Sequence, residues 1–157
     1  MLPHVFTQWE VSLSTPFPTP GTTILVVDDE RISRRVAYRL LSEQGYRVLE
    51  ADGGQEALDV LRLANGRIDL VLMDVVMPGL DGVAVAQKIS EQWPDLKLLY
   101  MSANPAEILF RHGLTTWIVP FLAKPYTLDE LLRKVHEALD RRGMQRSRKT
   151  QEEPLDL

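Results

Sequence analysis

Leu70-Val71-Leu72-Met73-Asp74-Val75-Val76-Met77-Pro78-Gly79-Leu80-Asp81-Gly82 decides the fold. Its opening run of apolar residues, Leu70 to Met73, shows no polar alternation, the mark of a strand buried on both faces under helices. The run ends in a single carboxylate, Asp74, and the Pro78-Gly79 turn stops the strand. In an open parallel sheet, ligands bind outside the carboxyl ends of the strands, so Asp74 sits where such a sheet does its chemistry. Taken alone, an Asp in that place is better explained as a loop cap. Its partners elsewhere in the chain change the balance.

Outward from this strand the same pattern repeats. Upstream, Thr23-Ile24-Leu25-Val26-Val27 reads as a first buried strand ending in Asp28-Asp29-Glu30. A helix follows, with Ile32, Val36 and Leu40 four apart, Ala37 and Leu41 beside them, and Arg31, Arg34, Arg35 and Arg39 mainly on the outer side. Gly45 ends it. Tyr46 to Ala51 is a strand with polar interruptions, as expected of a sheet edge. Gly53-Gly54 then opens a helix packed through Ala57, Leu58, Leu61 and Ala64, which Asn65-Gly66 stops.

Downstream, Gly82 opens a third helix with Val83, Ala86 and Ile89 inward, closed before Pro94. Leu96 to Met101 is a fourth strand ending in Ser102-Ala103. Asn104-Pro105-Ala106-Glu107 has the residues of a helix start, and Gly113 keeps that helix short. Phe121-Leu122-Ala123 is a brief last strand leading to Lys124-Pro125. Thr127 and Glu130 form a capping box for a final helix that buries Leu128, Leu131, Leu132, Val135 and Leu139.

Five strands alternating with five helices imply an α/β, doubly wound parallel sheet, because each right-handed crossover covers the sheet with a helix. Residues 1–21 carry Pro3, Pro16, Pro18 and Pro20 and read as an arm or linker, though Val5, Phe6, Trp9, Val11, Leu13 and Phe17 are many for a solvated tail. Residues 22–142 form the domain, and 143–157 a polar tail.

The totals exclude several classes. At 157 residues the chain suits one domain with a real core. With no cysteine, disulfides and thiolate catalysis are ruled out. A net charge of -4 gives no general attraction to nucleic acid or anionic membrane. The arginines of the first helix therefore read as a solvated face, and no DNA binding is expected. No apolar run approaches the roughly 20 residues that span a bilayer, and no signal peptide is evident. The expectation is a cytoplasmic protein without direct membrane contact. His4, His112 and His136 lack metal spacing and read as surface or loop residues.

The chemistry gathers at one rim, where strand ends deliver Asp28 and Asp29, Asp74, Ser102 and Lys124. Converging carboxylates repel unless a cation lies among them, and hard oxygen ligands beside solvent suit Mg2+. A carboxylate can attack phosphorus to form an acyl phosphate, whose oxygens then need the positive charge and donors that Mg2+, Lys124 and Ser102 provide. Singly, each residue has an ordinary explanation as helix start, turn residue or solvated lysine. Jointly, those explanations leave unexplained why the strand ends carry complementary chemistry.

As a set, Leu25-Val26-Val27-Asp28-Asp29-Glu30, Asp74 with Met77-Pro78-Gly79-Leu80-Asp81-Gly82, Ser102-Ala103 and Lys124-Pro125-Tyr126 resemble the receiver domain of two-component response regulators. The resemblance covers about residues 22 to 142 and implies a flavodoxin-like fold with strand order 2-1-3-4-5. It implies that Asp74 accepts phosphate from a histidine kinase or a histidine phosphotransfer domain. Asp28 and Asp29 would hold Mg2+, joined by the Asp74 carboxylate and the Val76 main-chain carbonyl. Ser102 would be the switch hydroxyl, Lys124 the conserved-type lysine, and Phe121 the aromatic switch residue. Leu98 to Ser102 and Phe121 to Thr127 look most like receivers at the carboxyl ends of hybrid sensor histidine kinases. The Pro-rich leader would then join two domains, whereas a start at Met1 suits a stand-alone regulator. Many relatives dimerise through the fourth helix and last strand, so the resemblance admits a homodimer. Leu114 to Pro120, bulky with Trp117, departs from the usual approach to that face.

Two other functions compete. A Mg2+-dependent phosphohydrolase using an aspartyl phosphate commonly has a second Asp two residues after the nucleophile, where this chain has Val76. A degenerate receiver acting only as a docking module is opposed by the complete acidic pair, acceptor and lysine. The leading expectation is a signalling receiver that catalyses only its own phosphorylation and slow hydrolysis.

Overall fold

A computed structural model describes residues 21–79, 82–104, 106 and 120–140 of the chain. The proposed arm, the polar tail and most of the short helix expected after Asn104 lie outside the described residues. The elements are β1 (Thr23–Val27), α1 (Arg31–Glu43), β2 (Arg47–Ala51), α2 (Gly54–Ala64), β3 (Leu70–Asp74), α3 (Gly82–Gln92), β4 (Lys97–Ser102), β5 (Phe121–Ala123) and the C-terminal helix α4 (Leu128–Asp140). The strands form one sheet in the order β2-β1-β3-β4-β5, with every pair parallel. The topology and fold class expected above are those observed, with β2 at an edge.

Strand alternation divides the core into two layers, since successive side chains point to opposite faces. Leu25, Val27, Val71, Met73 and Tyr100 pack with Ala57, Leu58 and Leu61 of α2 and with Val85, Ala86 and Ile89 of α3. Ile24, Val26, Leu70, Leu72, Leu99 and Met101 pack on the other face against Ala37 and Leu41 of α1 and Leu131, Val135 and Ala138 of α4. β1 and β3 are buried along their whole length, which accounts for their unbroken apolar runs. The register pairs Val27 with Met73 and Asp74 with Met101. The ends of the central strands thus arrive together at one rim.

Local signals hold at several helix ends. Glu130 N–H donates to Thr127 Oγ1 at 3.2 Å while Thr127 N–H donates to Glu130 Oε2 at 2.7 Å, the reciprocal pattern of a capping box. The interaction holds the Glu130 carboxyl below its ordinary range. Asn65 ends α2 in the left-handed region, at φ 47°.

α1 departs from the expected orientation. Ile32 and Val36 are 74% and 47% exposed, and the buried residues are Ala37 and Leu41. Arg34 is drawn inward, with only 16% of its side chain exposed. The helix is rotated so that Arg34 reaches the end of β1, which places Ile32 and Val36 on the solvent side. His136 also differs from a plain surface residue. Its Nε2 is buried and its ring lies 6.5 Å from that of Tyr46, centroid to centroid.

Burial in the α2–α3 layer pushes the Tyr100 phenol up to about 12. The folded state therefore keeps a proton that the unfolded chain releases near its ordinary value of 10.0. That contribution to stability is present below pH 10 and is lost as pH rises towards 12. Two pH units of linkage amount to roughly 2–3 kcal/mol. Urea unfolding followed between pH 9 and 12 should show this alkaline loss, and Tyr100→Phe should shrink it. An identical pH profile in the variant would mean that Tyr100 does not contribute.

Candidate functional site

Each strand end brings one part of the site to the rim. Asp28, just past β1, is fully buried, and Asp74, closing β3, is 9% exposed. Lys124, just past β5, reaches between them, with Nζ 2.7 Å from Asp28 Oδ2 and 2.9 Å from Asp74 Oδ2. The other carboxylate oxygens accept main-chain donors: Asp28 Oδ1 from Glu30 N–H at 2.9 Å and Asp74 Oδ1 from Val76 N–H at 3.0 Å. Asp29 is exposed. Asp28, Asp29 and Asp74 each offer a carboxylate oxygen within 4.8 Å of the others.

The electrostatics follow from this crowding. Burial pushes the Asp74 carboxyl above its ordinary range; the hydrogen bond and charge of Lys124 pull the other way, and the nearby Asp28 charge adds to the rise. For Lys124 burial disfavours the ammonium, but hydrogen bonds and charges from Asp28 and Asp74 outweigh it, so its pKa lies above the ordinary lysine value. The lysine is therefore a fixed cation at neutral pH.

The β4 and β5 ends complete the rim. Ser102 is buried at 1% exposure, and its Oγ accepts the Asn104 N–H at 3.1 Å. Its main-chain oxygen accepts the Lys124 N–H at 2.8 Å, tying the hydroxyl-bearing strand end to the lysine. The Lys124–Pro125 peptide is cis. Phe121 pairs in register with Tyr100 and is partly buried against the α2–α3 layer. Val76 is 48% exposed at the mouth of the site.

Residues 24–136 match the family model described as the response regulator receiver domain. The chain belongs to the response-regulator receiver family. Among its relatives, Response regulator MprA of Mycobacterium sp. (strain KMS) is 41% identical over 118 residues, 75% of this chain and 50% of that protein. Sensor kinase CckA of Brucella abortus (strain 2308) is 34% identical over 121 residues, 77% of this chain but 13% of that protein. The chain thus spans half or less of the length of these curated relatives. Among solved structures, response regulator protein TrrA from Thermotoga maritima, in complex with Mg(2+)-BeF, matches with a TM-score of 0.64 and 35% identity, covering 75% of this chain and 99% of that one.

In this receiver the donor set fits a hard divalent cation. All three converging side chains are carboxylates, with no sulfur or imidazole among them, and one of them is open to solvent. The residues singled out in the sequence are brought together as expected: Asp28, Asp29, Asp74 and Lys124 directly, with Ser102 joined through the Lys124 main chain. Phe121 belongs to the adjoining core layer.

Two features of the receiver site lack a local sequence signal. Gly82 lies directly under the end of β3: a Cβ there would stand 2.3 Å from the Asp74 main-chain oxygen and 2.8 Å from Val75 Cα. A glycine before a helical pattern reads equally well as a helix start, so its sequence context does not disclose this contact. The second is Arg34, whose Nη1 donates to the Asp28 main-chain oxygen at 2.7 Å. Helix periodicity puts Arg34 on the outer side because it cannot see a partner on another element.

Proposed function

We propose that this receiver takes a phosphoryl group onto Asp74, in a Mg2+-dependent reaction, from a histidine kinase or histidine phosphotransfer domain. The observation that supports this best is the Lys124 ammonium bridging Asp28 and Asp74 at 2.7 and 2.9 Å beside an exposed third carboxylate. Asp28, Asp29, Asp74 and the Val76 carbonyl would hold the metal, which when bound offsets negative charge on the phosphoryl oxygens. An Asp74 carboxylate oxygen forms a bond to phosphorus as the P–N bond to the donor imidazole breaks, and that nitrogen takes a proton from solvent. Lys124, already positioned and charged, donates to a phosphoryl oxygen with little reorganisation.

The switch reading is part of the proposal. Phosphate at Asp74 offers the Ser102 hydroxyl a charge-assisted hydrogen bond in place of its contact with Asn104. Movement of Ser102 would be felt at Phe121, because Ser102 closes the strand that pairs with Phe121 through Tyr100. The output is a protein contact on a cytoplasmic domain covering residues 22–142, without DNA binding. No helix among the described residues is long and apolar enough to cross a membrane. Val76, apolar and exposed where a phosphohydrolase carries its second acid, favours a persistent acyl phosphate over turnover.

Incubation with acetyl phosphate and Mg2+ should add one phosphoryl mass to the intact protein. Asp74→Asn should gain none, and chelation of the metal should suppress the gain in wild type. A full gain in Asp74→Asn, or without metal, contradicts the proposal.

A further inference from the structure

Arg34 and Glu50 form a half-buried polar device behind the acidic rim. Arg34, on the first turn of α1, turns back toward the end of β1, and its Nη1 donates to the Asp28 main-chain oxygen at 2.7 Å. Its side chain is 16% exposed, and its Nε lies 3.5 Å from Glu50 Oε1 on β2. That Glu50 oxygen is buried and accepts no hydrogen bond, while Oε2 takes Arg35 Nη1 at 2.7 Å. Glu50 is thus held by two arginines of α1, and Arg34 is held between Glu50 and the Asp28 carbonyl.

The Asp28 carbonyl matters because it shares a rigid peptide plane with the Asp29 N–H. Fixing that oxygen fixes the plane from which the exposed Asp29 side chain departs. The Asp28 N–H is itself tied to Ala51 O at 3.2 Å, so the main chain is held on both sides of this residue. Asp28 has its side chain anchored by Glu30 and Lys124. For Asp29, the one solvent-open carboxylate of the three, the 28–29 peptide is the anchor that the Arg34 bond supplies.

We infer that Arg34, clamped by Glu50, is a positioning residue that sets the Asp28–Asp29 peptide so that the acidic pair is ready for a divalent cation. The inference rests on the proposed metal site. Glu50 has a second part in the device: its negative charge offsets part of the positive charge that Arg34 and Arg35 place behind the cation site.

The two conceivable effects of Arg34 have opposite signs, which makes the test decisive. If the guanidinium acted only as a nearby positive charge, removing it would tighten Mg2+ binding. If it positions the peptide, removal weakens binding. Titration of the full chain with Mg2+ alone, followed by amide chemical shifts, should show roughly tenfold weaker affinity in Arg34→Met, the scale seen when residues supporting metal ligands are removed. Arg34→Lys, which retains a donor for the carbonyl but not the fork, should recover part of the loss. In the metal-free protein, the Asp29 and Glu30 amides should shift in Arg34→Met while that of Asn104 stays in place. If Arg34→Met does not fold, Arg34→Lys serves instead: it keeps the charge, so an effect of charge alone leaves Mg2+ affinity unchanged, whereas loss of the fork that positions the peptide weakens it. Unchanged or tighter affinity in the folded variants overturns the inference while leaving the function intact. Absence of Mg2+ binding by the wild-type protein removes the functional reading and this inference together.

Discussion

Gly82→Ala is expected to destabilise the domain by about 3 kcal/mol, the upper part of the range for overpacking a tight site. The added Cβ would stand 2.3 Å from the Asp74 main-chain oxygen and 2.8 Å from Val75 Cα. Both neighbours are main chain, so no flexible side chain can move aside. Gly82 N–H also donates to the Val75 oxygen at 3.0 Å, which keeps the start of α3 against the end of β3. Relief therefore requires moving β3 or the helix. A displacement of about 1 Å at Asp74 would lower the acetyl phosphate labelling rate on the order of a hundredfold. Gly66→Ala is the control. Its φ is +80° but nothing lies within 4 Å of the added Cβ, so only backbone strain of roughly 1–2 kcal/mol applies and labelling should be unaffected. Urea unfolding and labelling rates measured on both variants check this. Equal losses at the two glycines would show that the close approach under Asp74 carries no special constraint.

Lys124→Met should have the other large effect, and its dependence on conditions is the informative part. The substitution leaves fully buried Asp28 facing Asp74 without the ammonium that bridges them. Removing one partner of a buried ion pair typically destabilises by about 3–5 kcal/mol. With the lysine gone, its lowering pull on the Asp74 carboxyl disappears, and that group's pKa rises further above its ordinary range. Folded-state protonation is then favoured, so the variant loses stability as pH rises through the Asp74 titration and recovers some of it on acidification. Mg2+ held at the proposed carboxylate site should also restore part of the loss by mass action. Unfolding midpoints at neutral and acidic pH, with and without Mg2+, test both statements. A loss independent of pH and of metal would mean that Lys124 contributes only by packing. In wild type the raised Lys124 pKa acts in the same direction at the alkaline end, giving a contribution present below 10.5 and lost as pH rises through the folded value.

Much of this fold is written in local chemistry. Leu70 to Met73 and Ile24 to Val27 are unbroken apolar runs because β1 and β3 are interior strands covered on both faces. The polar interruptions of β2 reflect its edge position. The rim residues were legible for a related reason: a strand that ends in a carboxylate, hydroxyl or lysine exposes that group where the sheet stops. What stayed hidden depends on contacts between distant elements. On α1 the apolar positions span a broad arc, and a helical period alone cannot tell that Ala37, Leu41 and in part Leu40 face the sheet while Ile32 and Val36 do not. The choice goes with Arg34, held by the Asp28 carbonyl and by Glu50, which stands sixteen residues further along. The Gly82 contact is concealed in the same way, because the residue that it touches is main chain and leaves no mark on side-chain pattern.

The identity of the labelled residue is the most direct test. After reaction with acetyl phosphate and Mg2+, borohydride converts an aspartyl phosphate to homoserine, and peptide mass mapping locates the change. The expected result is homoserine at Asp74 alone, with Asp28 and Asp29 unmodified. Homoserine at Asp28 or Asp29, or phosphate stable to borohydride on a hydroxyl such as Ser102, would contradict the assignment of Asp74 as the acceptor.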